Sequence, residues 1–233
     1  MTTPDINEVY RTVLFILNKE QRGYMTPAEF NHVGNQSQLE IFEGYFEDYN
    51  QLSRIPQPDS EYYNRIENID EKVSLFKTSF AVTNAQFTLP TDVHRLGNIG
   101  FSNPEGDIAN LQRLDVKDFN LVNQSKLTRP SVEFPVYVQK GNEITVYPTT
   151  LQFGSINVDY IRKPAVPFWN YNIGSKGQYT YQSNGSQQFE ISAQDQTELI
   201  LKILAYAGVI IRDPSIVQTA TQMVNADNVE EKR

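Results

Sequence analysis

Apolar positions near the N-terminus recur with a helical period. Ile6, Val9, Tyr10, Val13, Leu14 and Leu17 form a single stripe of an amphipathic α-helix. Asp5 followed by Glu8 has the form of a capping box at its start, and Gly23 marks a turn beyond it. A second helix carries stronger start signals: Thr26 as N-cap, Pro27 at the first helical position and Glu29 close behind. Leu39, Phe42, Phe46 and Tyr49 extend its apolar face to about residue 52. The pattern predicts an antiparallel helical hairpin. The stretch 54–70, with Pro56 and Pro58, reads as a long connection.

The pattern then changes to short strands and turns. Phe80-Ala81-Val82 and Gln86-Phe87-Thr88-Leu89 are strand candidates, punctuated by Pro90, Asn103-Pro104 and Pro130. A short helix is expected from Asp115 to Val122, capped by Asp115. Val136–Gln139 and Ile144–Tyr147 predict a hairpin turning at Lys140-Gly141-Asn142. The run Ile156–Ile161 is a further strand that stops before Pro164. It places Ile156, Val158 and Tyr160 on one face and Asn157 and Asp159 on the other. An aromatic, Gly-containing stretch follows from Phe168 to Tyr181, and then helices return. Ser192 with Asp195 marks an N-cap ahead of a stripe of Ile200, Ile203, Leu204, Ala207, Ile210 and Ile211. Asp213-Pro214 opens another helix carrying Ile216, Val217, Ala220, Met223 and Val224.

No such helix buries its stripe alone. The expected fold is therefore α+β, with terminal helices in an antiparallel bundle and a β-rich module, sandwich or hairpin, inserted between them. Its expected boundaries are an N-terminal helical hairpin and linker over 1–72, a β module over 73–191, C-terminal helices over 192–226 and a charged tail over 227–233.

Composition sharpens this frame. A chain of 233 residues with 39% hydrophobic side chains suits one sizeable domain or a domain with an inserted module. Its 13 Tyr and 13 Phe make burial depend on large rings, a residue class also enriched at protein contacts. The absence of Cys excludes disulfides and thiolate metal sites. The first twenty residues lack a secretory layout, and no apolar run reaches the roughly 20 residues of a membrane span. A soluble protein made inside the cell is the expectation.

The net charge of −8 is uneven. Residues 1–72 hold 13 acidic against 6 basic side chains, whereas residues 73–233 hold 15 against 14. An acidic helical end argues against non-specific nucleic-acid binding, which needs Lys and Arg to displace counterions.

Candidate chemistry is sparse. His32 and His94 lie far apart without ligand spacing, and a surface or hydrogen-bonded histidine is the favoured reading of each. Gly97-Asn98-Ile99-Gly100 matches a nucleic-acid-clamping GxxG too briefly to imply one, so an ordinary turn is expected. Phosphate-loop, nucleophile-elbow and zinc motifs are missing. Adjacent Asp70 and Glu71 point apart in regular structure, unlike a glycosidase pair. Asn35-Gln36-Ser37, Asn123-Gln124-Ser125 and Asn184-Gly185-Ser186 read as chance glycosylation matches in an Asn-rich chain. No catalytic, cofactor-binding or metal-ligating residue is assigned, and a non-enzyme without cofactor is expected.

Two patterns admit a functional reading beside a plain one. Glu40, Glu43 and Glu47 form one stripe on the second helix: a solvated face, or an acidic wall repelling DNA in a channel. Phe168, Trp169, Tyr171, Tyr179 and Tyr181 are either a local cluster over the core or a subunit-interface anchor. Sugar stacking by a carbohydrate-binding module is a third reading of the aromatic group.

The order of elements carries a resemblance. Helices precede a β-rich insertion, and a strand of the form Ser-Ile-x-Val-x-Tyr-Ile-x-x-Pro from Ser155 to Pro164 follows. The closing helices read Thr197-Glu198-Leu199-Ile200 through Ala205-Tyr206-Ala207 to Arg212-Asp213-Pro214. Together these resemble the head-to-tail adaptor, or ring (connector), proteins of short-tailed bacteriophages, closest in style to those of crAss-like phages. The resemblance implies a homo-oligomeric, dodecameric ring in the virion, assembled in the bacterial host cytoplasm and placed between the portal protein and neighbouring tail ring proteins. DNA would pass through the ring without sequence-specific binding, and no membrane would be involved. Another tail or capsid-associated virion component is the alternative that shares this composition, and a carbohydrate-binding module is a more distant one.

Overall fold

The computed structural model describes residues 3–19, 23–52, 60–102, 108–131, 133–149, 155–210 and 222–223. Its first helix, α1 (Ile6–Lys19), begins where Asp5 Oδ1 accepts the N–H groups of Asn7 at 2.7 Å and Glu8 at 3.3 Å. It buries Ile6, Val9, Tyr10, Val13 and Leu17, leaving Leu14 half-buried. The helix α2 (Pro27–Leu52) opens with a reciprocal capping box. Thr26 N–H donates to Glu29 Oε2 at 2.8 Å, and Glu29 N–H donates to Thr26 Oγ1 at 3.3 Å. Phe42 and Phe46 are buried along it, whereas Tyr49 is exposed.

A third helix, α3 (Ser60–Ser74), replaces the connection expected over 60–70, while the 54–59 part of that expectation lies outside the described residues. Tyr62, Ile66, Ile69 and Val73 recur along it at helical spacing, with Ile69 half-buried and Val73 buried. Pro56 and Pro58 just ahead of it read as a loop, but the stripe suits a helix that packs along α2.

Two compact units emerge, one of Met1–Leu75 with Pro164–Arg233 and one of Phe76–Lys163. The expected β module over 73–191 therefore runs too far. Residues 164–191 belong with the helices, because their rings and backbone groups find partners on α1 and α2.

The Phe76–Lys163 unit contains β1 (Lys77–Val82), β2 (Gln86–Thr88), β3 (Val93–Ser102), β4 (Ile108–Asn110), β5 (Gln112–Leu114), α4 (Val116–Gln124), β6 (Val136–Lys140), β7 (Glu143–Tyr147) and β8 (Ser155–Arg162). One sheet has the order β1-β8-β3-β4 and the other β2-β7-β6-β5. All neighbours are antiparallel except β5 and β6. Ile99, Phe101, Ile156 and Val158 from the first sheet share a core with Tyr137, Ile144 and Val146 from the second. The alternation read in β8 is realised: Ile156, Val158 and Tyr160 are buried, while Asn157 and Asp159 are exposed. The β6–β7 hairpin turns at Gly141, whose φ of 61° suits a residue without Cβ.

Gly97-Asn98-Ile99-Gly100 is not a turn. It lies within β3, where the register against β8 shifts between Leu96 and Ile99 and forms a bulge. A Cβ on Gly97 would stand 2.9 Å from the Asp159 carbonyl oxygen, so glycine allows the two backbones to approach.

After β8 the chain forms β9 (Tyr171–Ile173) and β10 (Tyr179–Tyr181), an antiparallel pair, then a 3-10 turn at Ala193–Asp195 and α5 (Gln196–Ile210). Ser192 caps the turn, its Oγ accepting the Gln194 N–H at 3.4 Å. The helix α5 buries Leu199, Ile203, Leu204 and Ala207, with Ile200 half-buried, and packs against α1 and α2. The helix expected from Asp213-Pro214 and the tail 227–233 lie outside the described residues, apart from Gln222 and Met223, which are helical and exposed.

Two glycines give opposite expectations. Gly97→Val should destabilise by about 1–3 kcal/mol through the clash with β8. Gly44→Ala, on α2 with nothing within 4 Å of where the new methyl group would stand, should stabilise by up to about 1 kcal/mol. Urea unfolding monitored by circular dichroism reads both, and equal effects would contradict the bulge geometry.

Candidate functional site

The aromatic residues singled out in the sequence divide sharply. Trp169 is only 3% exposed. Its ring meets Tyr10 of α1 at 4.6 Å and stacks with Tyr171 at 5.8 Å and Tyr181 at 5.6 Å. Trp169 Nε1–H donates to Asn7 Oδ1 at 3.2 Å. Tyr171 and Tyr181 are half-buried, whereas Phe168 and Tyr179 are exposed. Trp169 is thus committed within its own unit and presents no open ring face for a sugar. Only the flanking rings remain available to a partner.

What holds this segment is a row of polar side chains on α2. Asn31, Gln38 and Tyr45 are spaced by seven residues, so they lie along one side of the helix over about 21 Å. Asn31 accepts the Trp169 N–H at 2.7 Å and donates to the Trp169 carbonyl at 3.2 Å. Fully buried Gln38 donates to the Ala165 carbonyl at 2.8 Å and accepts the Glu190 N–H at 2.9 Å. Glu190 Oε2 in turn accepts the Ala165 N–H at 2.7 Å. Between these rungs Phe189 presses against Gly34, where an added Cβ would lie 3.2 Å from the ring. At α1 the same returning segment contributes Gln188, whose Oε1 accepts the Ile6 N–H at 2.7 Å.

The last rung is ionic. Tyr45 O–H donates to Asp195 Oδ2 at 2.5 Å, and Lys72 of α3 donates to Asp195 Oδ1 at 2.8 Å. Lys72 also lies 5.5 Å from the Tyr45 ring centre. Asp195 is 6% exposed, so its charge is matched in place instead of by water. Burial, reinforced by the Asp195 carboxylate, raises the Tyr45 phenol far above the usual tyrosine range. Burial likewise raises Tyr10, helped by its hydrogen bond with Tyr24. The Tyr45 group is a protonated donor in a closed lock joining α2, α3 and the turn before α5.

The acidic stripe also divides. Glu40 accepts a hydrogen bond from Tyr206 of α5 and lies 3.8 Å from Lys202. Glu43 and Glu47 are exposed. Of the histidines, His32 is exposed on α2 and His94 lies on β3. Among the described residues, no group of three or more His, Asp or Glu side chains converges as metal ligands, and no helix is long and apolar enough to cross a membrane.

No protein-family model matches this chain, and no curated protein matches it in sequence. The α2 row escapes a reading of the sequence because Asn, Gln and Tyr at heptad spacing look like ordinary helix polarity. A polar residue every seventh position beside the apolar stripe is the only signal.

Asp195→Ala should destabilise the protein by about 3–5 kcal/mol, because Lys72 and Tyr45 lose a buried partner. Denaturant midpoints check this, and a loss below about 1 kcal/mol would count against the lock. Above the unfolded tyrosine pKa of about 10, the unfolded chain sheds phenolic protons that Tyr10 and Tyr45 retain when folded. Stability should therefore be full below that pH and fall as pH rises beyond it. In an ultraviolet titration these two rings should ionise only with unfolding, and Tyr45→Phe should remove one such late-titrating group.

Proposed function

We propose that this chain is a non-enzymatic structural protein of a virion, a ring-forming head-to-tail adaptor that joins the portal to the tail and lines the DNA channel. The observation that carries the reading is the order of parts. A helical unit is drawn from both ends of the chain, and a two-sheet β unit is inserted between them. This matches the order in the adaptor proteins that the sequence resembles. The acidic bias of the N-terminal helices fits a wall that DNA passes without sticking, since like charge removes the counterion-release gain. Glu43 and Glu47 are the exposed members of the stripe. Glu40 is engaged by α5.

A ring built from identical copies needs heterologous interfaces, in which two different faces of the chain meet. The exposed rings Phe168 and Tyr179 suit one such face, with buried Trp169 as the rigid base beneath them. Interaction with the portal and adjacent tail rings would template closure, so the free chain need not be a ring.

Electron microscopy of purified particles tests this directly. The chain should form a ring at the head–tail junction, with Glu43 and Glu47 toward the channel. Its location in a fibre or on the capsid shell would replace the adaptor reading with another virion role, and its absence from particles would end both.

A further inference from the structure

Asn184 is the only asparagine in this chain that glycine follows. That pairing carries chemistry of its own. The backbone nitrogen after an asparagine can attack the side-chain amide carbon, and glycine brings no side chain to hinder the approach. Both residues are exposed. They fill the central positions of a β-turn that the Ser186 N–H closes by donating to the Ser183 carbonyl at 3.3 Å. Gly185 has a φ of 83°, a conformation suited to a residue without Cβ. Among the described residues, nothing hydrogen-bonds the Asn184 carboxamide or the Gly185 N–H. Asn7, Asn31, Asn98 and Asn170 differ: their side chains are held in hydrogen bonds, and larger residues follow them.

The same turn braces the aromatic segment. Asn170 Nδ2 donates to the Asn184 carbonyl at 2.8 Å, and the Asn170 N–H donates to Ser186 Oγ at 3.0 Å. Ser186 Oγ donates in turn to the Gln182 carbonyl at 2.6 Å, and the Gln182 N–H donates to the Asn170 carbonyl at 2.9 Å. Asn170 lies between Trp169 and Tyr171, whose rings stack, so turn and rings share one support.

We propose that Asn184-Gly185 is a spontaneous modification site, where the folded protein converts with age to aspartyl and isoaspartyl forms, the isoaspartyl form loosening the aromatic segment. In the first step the Gly185 nitrogen bonds to Asn184 Cγ and closes a succinimide ring. The bond from Cγ to the carboxamide nitrogen breaks, and that nitrogen leaves as ammonia with the proton given up by the Gly185 nitrogen. Water then opens the ring, and nothing is oxidised or reduced. Hydrolysis at Cγ gives aspartate on the original main chain. Hydrolysis at the α-carbonyl gives isoaspartate, whose main chain runs through the former side chain and is longer by a methylene group. The carbonyl that accepted Asn170 Nδ2 becomes a free carboxylate there. Of the two products, only isoaspartate takes the chain out of the turn that braces Asn170.

The test incubates the full chain in neutral buffer and follows ammonia release, peptide mapping and enzymatic methylation of isoaspartate over time. Asn184 should convert on the order of tenfold faster than any other asparagine, since it alone precedes glycine. Asn184→Ser, a substitution that suits a turn, should lose most of the ammonia release. Trp169 is the single tryptophan and is buried, so its emission reads the state of the segment. In the separated isoaspartyl form that emission should shift to the red relative to Asn184→Asp, which adds the same charge to an unaltered backbone. Conversion first at another asparagine, or at Asn184 only after unfolding in urea, would overturn the site. An isoaspartyl form with the emission of Asn184→Asp would overturn the loosening. Neither result bears on the ring reading, which particle microscopy decides.

Discussion

The helical unit depends on how α2 satisfies the backbone of a chain that returns to it without regular structure. Residues 164–195 contain a three-residue strand pair, a single bridge between Phe168 and Gln187 and one 3-10 turn, yet Pro164, Pro167, Trp169, Phe189 and Ile191 are buried. Backbone N–H and C=O groups carried inside with them would cost about 1–3 kcal/mol each if left unpaired. Asn31 and Gln38 answer that demand by acting as surrogate strand edges, each pairing with both a donor and an acceptor. Tyr45 ends the row by donating to Asp195, which also takes the charge of Lys72. One helix face thereby positions the aromatic segment, α3 and the start of α5.

This arrangement decides which aromatic groups remain available. The indole of Trp169 has its hydrogen bond to Asn7 and rings on several sides. Phe168, directly before it, and Tyr179, which meets the edge of Tyr171, are exposed. The same sorting acts on the acids. The aligned stripe on α2 is interrupted where Tyr206 and Lys202 of α5 reach Glu40.

Features governed by neighbours in sequence were legible. The Thr26–Glu29 box, the Asp115 cap, the β6–β7 hairpin and the alternation of β8 each arise within a few residues. Features governed by distant partners were not. The helix α3 is a separate case: Tyr62, Ile66, Ile69 and Val73 have helical spacing, but Pro56 and Pro58 just ahead of them read as a loop. In β3, Gly97 and Gly100 interrupt the strand pattern, and only pairing with β8 reveals a bulge in place of a turn. The aromatic stretch could be assigned to the β module only while its partners on α1 and α2 were unseen.

By itself, the sequence determined the α+β class, the capped helix starts and the inward face of the last long strand, because periodicity and capping act over one or two turns of chain. The tertiary structure alone decided that residues 164–191 join the helices, that Trp169 is an internal anchor, and that the acidic stripe is divided. The reason is physical. Whether a polar or aromatic group is spent inside or left outside depends on partners brought from over a hundred residues away, as Asn31 and Trp169 show.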